Sequence, residues 1–201
     1  DLSSKENKNI MIVLSSPSGA GKTTISKKIQ QKFSNFKISI SHTTRKPRAN
    51  EVDSVDYFFI TKDEFEKKIK NNEFYEFAKI FDNYYGTSKK SVNDLQDKNF
   101  NILFDIDWQG TNQLSKYKEL NLVKIFILPP NKDELKKRLI DRNKGNADSI
   151  DKRLSSYDED KHHWNEYDYI LINDNLENCF SQIEKIIKKE LNQVTLPTHN
   201  S

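Results

Sequence analysis

Ile12-Val-Leu-Ser-Ser-Pro-Ser-Gly-Ala-Gly-Lys-Thr-Thr24 decides how this chain is read. An apolar run from Ile10 to Leu14 ends in small residues, and Lys22 then opens a helical pattern. A strand, a tight loop and a helix N-terminus in that order form a phosphate cradle, because backbone N–H groups and the helix dipole converge on one anion. Gly19 and Gly21 allow the backbone angles and the close approach that such a loop needs. Lys22 reaches the β- and γ-phosphates in this pattern, and the Thr23 hydroxyl reaches Mg²⁺. The expected donor site therefore runs through Ser16, Pro17, Ser18, Gly19, Ala20, Gly21, Lys22, Thr23 and Thr24. Ser16 stands where the pattern ordinarily has glycine. The plainer alternative is a strand-to-helix turn that merely requires glycine.

Away from the loop, strand-like and helix-like segments alternate, which predicts an α/β fold with a parallel sheet. Ile10–Leu14, Lys37–Ser41, Tyr57–Ile60, Glu73–Phe81, Ile102–Ile106, Leu122–Leu128 and Tyr169–Ile172 read as extended. Asp82–Gly86 reads as a turn. In the helix from Lys22, Ile25, Ile29 and Phe33 recur every four residues and face the sheet. Thr61 and Glu64 have the form of a capping box. Asn131 and Glu134 cap a further helix. Ser88–Lys98, Ser149–Trp164 and Leu176–Leu191 are the other long helical patterns. Between 37 and 87 the alternation breaks into short strands and polar aromatics, as expected of a small insertion beside the sheet.

The chain has 201 residues, enough for one domain with a substantial core. The net charge of +3 is too small to argue for nucleic acid. Cys179 is the single cysteine, which excludes an intramolecular disulfide framework and fits a reducing compartment. No apolar run approaches membrane-spanning length, and residues 1–9 lack the apolar stretch of a signal peptide. The expectation is a soluble intracellular protein.

Two further stretches carry chemistry. Ile102-Leu-Phe-Asp105-Ile-Asp107 is a buried strand ending in acid, where a carboxylate can hold Mg²⁺ or its water. The same acids could instead cap the helix that follows Trp108. Arg45 and Arg48 lie three apart around Pro47, and two guanidiniums on a stiff loop suit the phosphate of a second substrate. A solvated basic loop is the alternative.

Ser16-Pro-Ser-Gly-Ala-Gly-Lys22 within the opening loop, Ser41-His-Thr-Thr-Arg-Lys-Pro-Arg48, Asp56-Tyr-Phe-Phe59, Phe74-Tyr-Glu-Phe-Ala78, Asn83-Tyr-Tyr-Gly-Thr87, Phe104-Asp-Ile-Asp-Trp-Gln-Gly110, Ile127-Leu-Pro-Pro130 and Ile172-Asn-Asp174 together resemble guanylate kinase, especially its bacterial form. The resemblance covers roughly residues 10 to 191 in order. It implies a three-layer P-loop core with a GMP-binding insertion and a helical lid, transferring phosphoryl from ATP to GMP, and to dGMP, in guanine nucleotide recycling. It places the core at about 10–36 and 88–191, the insertion at 37–87, the lid at 138–153 and a polar tail at 192–201, all in one domain. Arg45, Arg48, Tyr57 and Tyr85 are implied to hold the GMP phosphate, and Ser41, Glu76 and Thr87 to read guanine, with Asp105 and Asp107 beside them. Arg138, Arg142 and Arg153 are implied at the lid over the ATP phosphates, Asn173 and Asp174 near adenine, and Thr23 and Asp105 at Mg²⁺. Lys22, Arg45, Arg142 and Arg153 are the implied catalytic set. The implied partners are ATP and GMP alone, in a cytoplasmic monomer or small homo-oligomer. A kinase for another nucleoside monophosphate, and a non-catalytic binding module of the same fold, are the competing readings. Hinge motion of the insertion and the lid is expected on closure.

Cys179 shares a helical apolar stripe with Leu176, Phe180, Ile183 and Ile187 and reads as core. His162 and His163 lack a zinc-site arrangement and read as solvated, and Trp108 reads as packing.

Overall fold

The computed structural model describes residues 9–17, 22–143 and 147–195, without the side chains at 142, 143, 147–149, 156 and 193–195. The first strand, β1 (Met11–Ser15), is buried throughout, as a strand covered on both faces must be. Its alternating side chains enter two cores. Ile12 and Leu14 join Ile25 and Ile29 of α1 (Lys22–Lys32) and Ile183 and Ile187 of α7 (Leu176–Thr195). Met11 and Val13 point the other way, to Val92 of α3 (Lys89–Asp97) and Leu114 of α4 (Trp108–Leu114). Each such side chain contributes about 1.5–3 kcal/mol of transfer free energy, so β1 sets the registry of the three layers.

The main sheet has the order β2-β7-β1-β8-β9. β2 is Phe36–Ile38, β7 Asn101–Asp105, β8 Leu122–Leu128 and β9 Tyr169–Ile172. Every pairing is parallel. A third core, built on Phe126, Leu135, Leu139 and Tyr157, seats α5 (Lys132–Asn143) and α6 (Ala147–Asp160) against the sheet. Asn131 Oδ1 accepts the Glu134 N–H at 2.7 Å to start α5. Cys179 is buried and free.

A second sheet follows the order β4-β3-β6-β5. Its strands are β3 (His42–Thr43), β4 (Phe58–Phe59), β5 (Phe74–Ile80) and β6 (Asn83–Ser88). Helix α2 (Lys62–Lys70) packs Phe65 against Phe74 and Tyr84 of this sheet and begins as expected, with Thr61 Oγ1 accepting the Glu64 N–H at 3.1 Å. Among the described residues no helix is long and apolar enough to cross a membrane.

Three expectations are corrected. The strand expected at 37–41 is two pieces in two sheets: β2 pairs with β7, and the chain leaves at Ser39 to pair again at His42. The turn expected at 82–86 sits instead on Phe81–Asp82, with Ile80 opposite Asn83, and Asn83–Gly86 is strand. Gly86 is small because a Cβ there would come within 2.9 Å of the Phe74 ring and 3.0 Å of Phe65, so it serves packing rather than turning. The helix expected through Trp164 ends at Asp160 and tightens into a 3₁₀ segment, Lys161–Glu166.

Candidate active site

The C-terminal ends of β1 and β7, the second sheet and α6 surround a cavity of about 970 Å³. Its location follows the rule for open parallel sheets, whose ligands bind beyond the strands' carboxyl ends. Ser16, Pro17, Lys22, Thr23 and Thr24, of the expected phosphate loop, line one side of the cavity. Ser18, Gly19, Ala20 and Gly21 fall outside the described residues. A buried hydroxyl cluster fixes the strand end that feeds this loop. Tyr167 Oη donates to Ser15 Oγ at 2.7 Å and lies 3.1 Å from Thr111 Oγ1, and Ser15 Oγ donates to the Ile106 carbonyl at 2.6 Å. Burial holds the Tyr167 hydroxyl well above its usual range, so it stays protonated and donating.

Lys22 Nζ stands 2.6 Å from Asp105 Oδ1, with the two side chains 20% and 29% exposed. The loop lysine and the strand-end acid are thus brought together. Asp107 lies just past the strand and caps α4, accepting the Gly110 N–H at 3.0 Å and the Gln109 amide at 3.1 Å. The capping role expected of this acid is met, and its side chain also lines the cavity. Burial raises its carboxyl above the usual range.

Glu76 defines the far wall. Its side chain is 3% exposed, and Oε1 accepts from the Thr87 hydroxyl at 2.6 Å. Burial pushes the carboxyl up to about 7, against the Thr87 bond and with help from Asp107. Helix α4 is docked here by Gln113, whose amide exchanges bonds with the Phe77 N–H at 3.1 Å and carbonyl at 2.7 Å. This docking brings Gly110 so close that an added Cβ would overlap Glu76 Oε2 and lie 2.9 Å from its Cδ. Gly110→Ala is therefore expected to displace the carboxylate. Any ligand held by Glu76 should bind about tenfold or more weakly, because a hydrogen bond to a charged group contributes about 1.5–3 kcal/mol. Titration calorimetry on the variant checks this.

Arg45, Arg48, Tyr57, Tyr85 and Ser41 also reach the cavity. Arg45 is held by a residue that sequence reasoning missed. Glu51 takes its guanidinium at 2.7 and 2.9 Å and also accepts the Arg48 N–H at 2.8 Å. The pairing holds the Glu51 carboxyl down to about 2 and the Arg45 guanidinium above its ordinary value. The Arg45 guanidinium lies 5.2 Å from the Tyr57 ring centre, and Tyr57 meets Tyr85 edge-on at 6.0 Å. Burial pushes the Tyr57 hydroxyl up to about 12.

Arg138 and Arg153 reach the cavity from α5 and α6. Arg138 is braced by Glu134 at 3.3 Å and by the Asn173 carbonyl at 3.2 Å. The Arg142 side chain lies outside the described residues. Thr87 and Asn173 stand behind the wall rather than on it, both buried. Trp108 stacks on His163 with ring centres 3.6 Å apart, so His163 is a packing partner rather than a solvated residue.

Sequence reasoning also missed Asp160. It ends α6, lines the cavity, and makes no side-chain cap hydrogen bond. Burial and the Asp107 charge push its carboxyl up to about 7. No sequence pattern marks it, because a lone acid in an acidic helix end looks solvated.

Among the described residues no group of three or more His, Cys, Asp or Glu could hold a metal ion. Thr23 and Asp105 nevertheless offer hard oxygen ligands on the cavity wall. That small set fits Mg²⁺, which takes few protein ligands and relies on water and phosphate oxygens.

Known proteins resemble this chain along nearly its whole length. The sequence model of the family described as guanylate kinase matches residues 8–190. The guanylate kinase of Rickettsia bellii (strain RML369-C) is 49% identical over 185 residues, 92% of this chain and 96% of that protein. That of Novosphingobium aromaticivorans is 44% identical over 183 residues, 91% and 83% of the two chains. The crystal structure of guanylate kinase from Anaplasma phagocytophilum superposes with a TM-score of 0.75 at 32% identity, covering 91% of this chain and 86% of that one.

Proposed function

This chain belongs to the guanylate kinase family, and from that premise we propose the part each residue plays in moving the γ-phosphoryl group of ATP to GMP. The protein is an ATP:GMP phosphotransferase yielding ADP and GDP. The observation that carries the site assignment is Glu76, a buried carboxylate at the cavity wall whose side-chain hydrogen-bond partner among the described residues is Thr87.

Guanine offers N1–H and a 2-amino group side by side, and one carboxylate accepts from both. Thr87 fixes the orientation of Glu76 by donating to Oε1, so its role in this reading is to position the reader of the base. Ser41 and Asp107 flank the base. Arg45, Arg48, Tyr57 and Tyr85 hold the GMP phosphate, with Glu51 keeping Arg45 on the cavity side of its loop. Ser16–Thr24 and Lys22 hold the ATP phosphates. Arg138 and Arg153 approach from the lid helices, Arg142 is assigned to act with them, and Asn173 braces Arg138 through its carbonyl near the adenine end.

The acceptor oxygen of GMP is already anionic, so no general base is required. Positioning and charge stabilisation do the chemistry. The bond from the γ-phosphorus to the β,γ-bridging oxygen breaks, a bond to the GMP phosphate oxygen forms, and ADP leaves with the electron pair. Lys22 and the lid arginines neutralise charge gathering on the transferred group. Mg²⁺, held through Thr23 and Asp105, would supply charge neutralisation on the β- and γ-oxygens. We extend the acceptor range to dGMP, because no residue assigned to the acceptor depends on the ribose 2′-hydroxyl. The sole cysteine, free and buried, suits a reducing compartment, and the cytoplasm is the proposed location, within purine nucleotide metabolism.

The Glu76 assignment has a signed pH dependence. Its folded value near 7 exceeds its ordinary 4.5, so between those pH values the folded protein holds a proton that the unfolded chain releases. This group therefore lowers stability as pH rises through that window. GMP needs the ionised form and binds with release of that proton. Calorimetry at pH 6.5 in buffers of different ionisation enthalpy should show more proton release for the wild type than for Glu76→Gln. The Gln variant also reports the proton lost by the GMP phosphate itself. Equal release from both proteins removes Glu76 from the guanine site.

A further inference from the structure

We propose that Phe81, at the tip of the β5–β6 hairpin, is a positioning residue for Arg153. It would couple the acceptor hairpin to the lid helix α6. The inference rests on the reading of Arg153 as a lid arginine. Phe81 has φ 56°, a left-handed conformation that bulky residues rarely adopt and that hairpin tips ordinarily assign to Gly or Asn. Strain of this kind persists only where the surrounding structure over-determines it, and it clusters at active sites, ligand clamps and switch regions. The Phe81 side chain is not spent on the core. It is 40% exposed and lines the substrate cavity. Its ring centre lies 5.5 Å from the guanidinium carbon of Arg153, within the range over which a ring face attracts a cation. The same hairpin carries Glu76 on β5 and Tyr85 on β6. Seating GMP on the hairpin would therefore also set the surface against which Arg153 comes to rest.

The proposal separates turn from ring. Glycine takes φ 56° without strain, so Phe81→Gly should keep or raise the melting temperature. It should lower kcat about tenfold, the size of a partly desolvated cation–π contact, with KM for GMP within about twofold because Glu76 and Arg45 are untouched. Phe81→Tyr should retain activity, and Phe81→Leu, apolar but without a π face, should behave as Phe81→Gly. In an Arg153→Ala background, Phe81→Gly should cost nothing further. A full tenfold loss in that background, or wild-type activity for Phe81→Leu, overturns the coupling and leaves Arg153 in its role. Wild-type activity for Arg153→Ala overturns the lid reading itself, and the proposal with it.

Discussion

Replacing Lys22 with alanine is expected to lower kcat by about a thousandfold, the cost of losing a preorganised cation aimed at the transferring phosphoryl group. The dissociation constant for GMP should stay within about twofold, because Lys22 lies on the donor side with Asp105 and the acceptor wall is built on Glu76, Arg45 and Tyr85. Structural damage does not account for such a loss. The Lys22–Asp105 pair is partly exposed at both partners, and pairs of that kind contribute about 0–1 kcal/mol to stability. In a chain of 201 residues that is a melting shift of about 2–4 °C at most. Turnover by coupled ADP release, GMP binding by calorimetry and a thermal melt on the same sample test the three statements together. Unchanged turnover would remove Lys22 from the mechanism.

Glu76→Gln is expected to lower kcat/KM for GMP by about a thousandfold. The carboxylate offers two acceptors to two adjacent donors, and the amide turns one acceptor into a donor facing a donor. A lost hydrogen bond to a charged group costs about 1.5–3 kcal/mol, and leaving the other partner unpaired adds a similar amount. ATP binding should be unaffected, since Glu76 lies on β5 of the second sheet whereas Lys22 follows β1 of the first. Equal loss for both nucleotides would show that the substitution disturbs the whole cavity. The buried setting sharpens the contrast. At 3% exposure, water cannot replace what guanine provides, so a base without the donor pair leaves the carboxylate desolvated.

The parallel core was legible because its signals are local. The apolar run at β1, Lys22 after a small-residue loop, the Asn131 cap and the stop at Pro129 fix elements without knowledge of their neighbours. β8 and β9 coincide with the expected 122–128 and 169–172. The second sheet was less legible because its boundaries depend on remote partners. His42–Thr43 is strand only because β6 and β4 flank it. Gly86 and Asn83 look like turn residues, yet the turn falls on Phe81, where local chemistry argues against it.

The site divides in the same way. Lys22, Thr23, Arg45, Arg48 and Asp105 stand in patterns whose chemistry can be read directly. Glu76 has no such pattern and depended on the family resemblance. Glu51 was invisible because an acid six residues beyond Arg45 on a polar loop looks solvated, and Asp160 and Phe81 because each meets its neighbour, Asp107 or Arg153, from a remote element.

The central claim is that the buried carboxylate makes this cavity a guanine site. It is tested most directly by measuring kcat/KM with GMP, dGMP, AMP and UMP as acceptors at saturating ATP. A site that hydrogen-bonds specific donors rejects bases lacking them by about 10⁴–10⁵, so GMP and dGMP should exceed AMP and UMP by at least about a thousandfold. AMP turned over as well as GMP would contradict the claim.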